Sequence, residues 1–515
     1  MKLRRSVSGP GFHAASLAGP LAVSIAATIS LSWGGWVGQE EQEGVSDTAV
    51  TDAVETELAH DPAVSPARLD VHTDGGIVTL EGRALSLLEK NRAERIAETV
   101  RGVRSVINLV QVRPSGALPD EAIREEVEKA FLADPAIDAS EVEVSVENGI
   151  TTLSGSVDSW AERSLLVKAT GSVRGVTEIV DRIDVDPPED RPAAEIEEEV
   201  RQTLRWDVLV DHGLIRVGVE KDTVVLEGLV ASAAEKRRAR YDAFVSGVTA
   251  VDDSRLEVAR WTRDDEFRAG KYEPVTDEEV ERALETAFLQ DPRVRAAQVL
   301  PDVEGGVATL RGQVDNLKAR RAAGDVARST VGVESVVNGL EVRPESPPAD
   351  AQVARTVDEA LLRDPFVDAG EIITVVEGGV VTLAGSVDSR FEKAQADEVA
   401  SRVRGVLEVE NYLEVPEEGP PYVGNPYVED FDTRSLVLYR FRPFQTRLSD
   451  AAIENAIENE FFWSPFVDGD DVNVIVNDGV ATLTGTVDSL AERHDATENA
   501  YEGGAVKVNN ELIVR

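Results

Sequence analysis

One short pattern recurs six times along this chain and limits what it can fold into. In Glu143-Val-Ser-Val-Glu-Asn-Gly-Ile-Thr-Thr-Leu-Ser-Gly-Ser-Val157, Val144 and Val146 alternate with Glu143, Ser145 and Glu147. That period of two belongs to a half-buried strand. Asn148-Gly149 is a pair that tolerates positive φ and so favours a two-residue hairpin turn. The returning strand closes in Thr152-Leu-Ser-Gly155. The same ending appears at Thr79-Leu-Glu-Gly82, Val225-Leu-Glu-Gly228, Thr309-Leu-Arg-Gly312, Thr382-Leu-Ala-Gly385 and Thr482-Leu-Thr-Gly485. The glycine-to-glycine steps are 73, 73, 84, 73 and 100 residues. Self-similarity at a nearly fixed step indicates six copies of one structural unit. The six glycines, Gly82, Gly155, Gly228, Gly312, Gly385 and Gly485, are read as structural, at places where a side chain would clash.

Each copy follows one plan. A first helix shows apolar residues at i, i+4 and i+8, as in Ile123, Val127 and Phe131 or Ile453, Ile457 and Phe461, and that spacing lies along one face. Asp47, Asp120, Asp277, Asp350 and Asp450 stand at the helix starts, where a carboxylate is expected to help the exposed amides. Asp-Pro, or Ser464-Pro465 in the last copy, ends the helix, because proline disfavours the α region in the residue before it. The hairpin follows. A second helix runs to a glycine (Gly102, Gly175, Gly247, Gly332, Gly405, Gly504), and a third strand closes the unit. The predicted fold is α+β: tandem small two-layer α/β sandwiches, each αββαβ with a three-stranded sheet and two helices. The expected boundaries are 46–114, 119–187, 193–260, 276–344, 349–416 and 449–515. Residues 1–45 form a signal or anchor with a spacer, and 417–448 an aromatic and basic linker.

This combination resembles the BON domain family, found in osmotically inducible periplasmic proteins and some envelope lipoproteins. The resemblance covers all six copies. The third departs most and reads as a degenerate copy: Trp206-Asp207-Val208 lacks the proline, and its turn, Lys221-Asp222, lacks glycine. What the resemblance implies is an envelope location, binding of phospholipid or envelope partners, support of envelope integrity under osmotic stress, and no catalysis. A scaffold that binds protein through exposed strand edges is the alternative.

Composition narrows the partners. The formal net charge is −43, which repels nucleic-acid phosphates and disfavours loose adsorption to anionic lipid. Such acidity suits a salty milieu, since at about 1 M salt the Debye length falls to roughly 3 Å. There is no cysteine, so disulfides, thiolate metal sites and a lipobox anchor are out. Lys2, Arg4 and Arg5 precede a charge-free apolar run from Ala14 to Gly38 that carries Trp33 and Trp36. It is long enough to span a bilayer and reads as an inner-membrane anchor with the rest of the chain outside the cytoplasm, or as a cleaved signal ending near Ser30-Leu-Ser32.

Two places hold candidate binding residues. Phe461-Phe462-Trp463-Ser464-Pro465-Phe466 ends the first helix of the sixth unit. Phe462, Trp463 and Phe466 cannot all share the core face with Phe461, and an exposed aromatic cluster marks a lipid or partner site. In the linker, Arg434, Arg440 and Arg442 stand among aromatics in 433–448, a stretch that holds no acid. They offer headgroup-binding guanidinium forks or pair with neighbouring carboxylates. No metal, cofactor or catalytic residue is expected. Asp468-Gly-Asp-Asp471 lacks calcium-loop spacing, and His60, His72, His212 and His494 are scattered without ligand spacing.

Overall fold

The computed structural model describes residues 45–515 apart from 117, 188–190, 222, 260–274, 295–297, 345, 416–420, 424–436, 440–448 and 515. The apolar run lies outside these residues, as do Arg434, Arg440 and Arg442. Among the described residues no helix is long and apolar enough to cross a membrane.

Six αββαβ units are present. In the second, the helix Asp120–Ala133 leads into strands Val142–Glu147 and Ile150–Val157, the helix Trp160–Gly171 and the strand Glu178–Val185. The hairpin is antiparallel, and the third strand lies parallel to the hairpin's second strand, which is therefore central. The core-face residues expected from periodicity are all buried, among them Val54, Val127, Val200, Leu284, Val357 and Ile457 at 0% exposure. The third unit keeps the same element order, from Ala193–Trp206 to Ala250–Val258, despite its altered motifs.

The strand glycine is explained by its surroundings. Gly155 has φ +136, and a Cβ there would lie closer than 3.0 Å to the carbonyl oxygen of Glu141. Gly82, Gly228, Gly385 and Gly485 repeat this against the residue before their own first strand, and Gly312 against Gln298, the first residue of its strand.

The aspartates at the helix starts do something other than cap. The caps are Ser46, Thr276 and Ser449, or an uncapped residue such as Pro119. Each aspartate instead accepts both amides of its hairpin turn. Gly75 N and Gly76 N donate to the two Asp47 oxygens at 2.9 Å each. Asp120, Asp277, Asp350 and Asp450 hold their own turns in the same way. These backbone hydrogen bonds hold the Asp47 carboxyl below the ordinary aspartate range. The correction has a physical reason: a turn with positive φ points two adjacent amides outward, and a carboxylate across them satisfies both. The third unit begins its helix with Ala193 and has lost the turn glycine too.

A second recurring anchor lies in the loops. Glu89 accepts from Ser65 N at 3.1 Å and Leu85 N at 2.7 Å, tying the end of the first-helix corner to the start of the second helix. Glu235, Glu392 and Glu492 do the same. The turn at Asp468 belongs here: Asp468 N donates to Glu492, and its carboxylate accepts from Asp470 N.

Candidate functional site

Each unit has its own core, yet the units are not strung apart. They meet through the ends of their helices. In units two and five, Arg174 N donates to Arg363 O at 2.9 Å and Arg404 N to Ala133 O at 3.0 Å, an exchange that is the same in both directions. Arg101 N donates to Trp463 O at 2.9 Å between units one and six. Val331 N donates to Trp206 O at 2.9 Å between units three and four. The pairing is therefore nested, first with last, second with fifth, third with fourth. In each case the last turn of a first helix offers the unpaired carbonyl that a helix C-terminus always has.

A second set of contacts runs around the chain. In five units the residue that opens the second helix packs on a neighbour. Leu87 of unit one enters the core of unit two. Trp160 of unit two stacks on Phe244 of unit three with ring centroids 3.9 Å apart. Ala233 of unit three joins the core of unit one, which closes a cycle. Leu317 of unit four likewise joins the core of unit five, and Leu490 of unit six packs against unit four. Between units five and six, the short hairpin formed by Pro421–Val423 and Val437–Tyr439 lies against both second helices. Two pseudo-threefold rings joined by pseudo-twofold pairs is the geometry a closed homohexamer would have, here within one chain.

The junctions are charged as well as apolar. Arg321 of unit four reaches Asp397 at 2.7 Å and Glu398 at 3.2 Å in unit five. Lys318 of unit four meets Asp134 of unit two at 2.7 Å, and Arg237 of unit three pairs with Glu98 of unit one. Burial pushes the Asp397 carboxyl above its ordinary value even beside Arg321. Asp364, at the corner of unit five, is raised by burial for the same reason.

Against this frame the aromatic cluster divides. Trp463 is partly buried and packs on the core of unit one. Phe466 is partly buried near the corner of its own unit. Phe462 is 43% exposed, meets Trp463 edge-on at 5.3 Å, and lies under the Arg101 guanidinium at 5.1 Å. Phe462 is the thirteenth residue of its helix. The thirteenth residues of three other first helices are Leu132, Leu289 and Leu362, exposed by 78%, 74% and 62%. Sequence reasoning picked out Phe462 and missed the three leucines, although aligning the six first helices by register would have found them.

A cavity of about 610 Å³ lies among units two, three and four. Trp160, Trp206, Tyr241, Phe244, Arg205 and Arg282 are among the residues that line it.

A three-stranded sheet with two helices on one face, repeated six times and joined by helix ends, defines the class: a tandem array of small αββαβ modules. The chain belongs to the BON domain family, whose model matches residues 46–114, 119–187, 192–260, 276–344, 349–417 and 449–515. It is similar to osmotically-inducible protein Y of Escherichia coli, 30% identical over 141 residues, 26% of this chain and 70% of that protein. It is also similar to the outer membrane lipoprotein DolP of Haemophilus influenzae, 31% identical over 140 residues, 26% of this chain and 72% of that protein. Among solved structures, the C-terminal domain of CdsD, a structural protein of the type III secretion system of Chlamydia trachomatis, is 16% identical. That match covers 44% of this chain and 100% of the domain at a TM-score of 0.12.

Proposed function

We propose that this chain is a non-catalytic cell-envelope protein that binds phospholipid or envelope partners and supports the envelope under osmotic stress. The observation that carries the reading is the apolar residue exposed at one register position in four of six units, Leu132, Leu289, Leu362 and Phe462. Repeated exposed apolar side chains mark interaction surfaces. Leu132 and Leu362 belong to one paired junction, that of units two and five, so these two engage together without first paying the entropy of ordering a linker. The names of the two relatives, one osmotically inducible and one an outer-membrane lipoprotein, support the location and the stress role. Arg434, Arg440 and Arg442 of the linker supply cations for headgroup phosphates. The apolar run 14–38 supplies an anchor or a signal.

A protein-binding scaffold is the second reading. It is favoured by apolar residues exposed on first strands at the sheet edges, Leu300 at 65%, Ile373 at 63% and Ile475 at 55%, since an open edge is a template for another strand. Flotation of the purified chain with phospholipid vesicles at several salt concentrations separates the two. Lipid binding that is lost in the combined Leu132→Ser, Leu362→Ser and Phe462→Ser variant supports the first reading. A folded variant that floats as well as the parent chain, or a parent chain that never floats, removes it. Phe462→Ser is the cleaner probe of the aromatic cluster, because Trp463→Ser also opens the contact with unit one.

A further inference from the structure

The junction of the first and last units differs chemically from the other two. The eleventh residues of the paired first helices are Ala130 and Ala360 in units two and five, and Thr203 and Ala287 in units three and four. In units one and six they are Glu57 and Glu460. Their carboxylates and the His60 ring offer ligand atoms that all lie within 4.8 Å of one another. Glu460 is 8% exposed, and His60 Nδ1 is shut off from solvent with no hydrogen-bond partner.

Three physical points bear on this cluster. Two carboxylates so close repel unless a cation lies between them. All three residues sit in the last turn of a helix, where the carbonyl ends also favour positive charge. Glu57 and His60 are three apart on one helical face, and a Glu-x-x-His pair completed by a carboxylate from a facing helix is how helical bundles hold transition metals. One imidazole with two carboxylates suits a borderline divalent ion of the zinc class better than magnesium or calcium, which take oxygen ligands alone. We infer that Glu57, His60 and Glu460 form a divalent transition-metal site that clasps the first unit to the last. Arg101 brings a cation to the same junction, its guanidinium over Phe462.

The test uses the full, untagged chain, stripped with chelator and then titrated with zinc sulfate against a chromophoric competitor. Excess magnesium is present to occupy the diffuse acidic surface. The expected result is one zinc per chain, bound at least about tenfold more weakly by His60→Asn and by Glu460→Gln and unchanged by His72→Asn. X-ray absorption of the zinc-loaded parent chain is expected to show one imidazole among oxygen ligands, and this reading does not depend on the variants folding. Zinc bound no more tightly than magnesium would mean that the carboxylate pair is neutralised without a metal, and the proposal would fall. Stoichiometric zinc without an imidazole, or with equal affinity in both variants, would overturn it too.

Discussion

At the residue scale, a few side chains in repeated places hold each unit together, and most act on backbone. Asp47 is the clearest. Its carboxylate spans two turn amides, and those hydrogen bonds lower its pKa in the folded chain. A depressed folded-state pKa contributes stability that is fully present above the unfolded value and is lost as pH falls through the folded one. Asp47→Asn should therefore melt below the parent at neutral pH. The gap should close as pH drops below the ordinary aspartate range. Thermal melts of both chains across that range check this, and a gap independent of pH would mean that charge plays no part in holding the turn. The third unit shows the same coupling from the other side: with Ala193 at the helix start, nothing is left to clamp a glycine turn, and Lys221 supplies the positive φ itself.

At the scale of elements, the second helices carry the joints. Arg321, on the second helix of unit four, faces Asp397 and Glu398 on that of unit five. Removing one side of a buried ion pair costs about 3–5 kcal/mol, because the remaining charges lose their partner in low dielectric. Arg321→Ala is expected to destabilise by that order in urea unfolding, whereas adding Asp397→Asn to it should recover part of the loss. An unchanged midpoint would show that the contact between units four and five contributes little. These joints were not legible in the sequence, while the elements were. The i, i+4, i+8 apolar faces, the Thr-Leu-x-Gly strands and the turn glycines state local backbone needs, and local needs repeat with the unit. The contact from Arg321 to Asp397 joins residues whose proximity no periodicity encodes. Asn108, Asn338, Asn411 and Asn510 fall between. Each donates to a second-helix carbonyl and accepts the amide two residues further on; at Asn108, Asn338 and Asn510 the third strand breaks in two there, whereas at Asn411 it runs on. Their shared register was visible, but an asparagine in a strand has no meaning until the helix carbonyl opposite it is known.

For the whole molecule, the repeat reads as six beads, and the structure gathers them into one body. Each copy could bury its own first-helix face within the unit, so the sequence pattern is satisfied by separate beads as well as by packed ones. The helix ends decide between them: carbonyls of Ala133, Trp206, Arg363 and Trp463 accept amides from another unit. Phe462 was readable as a surface aromatic, but its neighbour Trp463 proved to be part of the joint between the first and last units. The chain's lack of cysteine makes that joint directly measurable. Spin labels placed through Glu55→Cys and Glu458→Cys, on the exposed sides of the two first helices, report the separation of units one and six by pulsed electron resonance. We expect a single narrow distribution at short distance, whereas a broad distribution reaching to the length of six units in a row would contradict the clasped body.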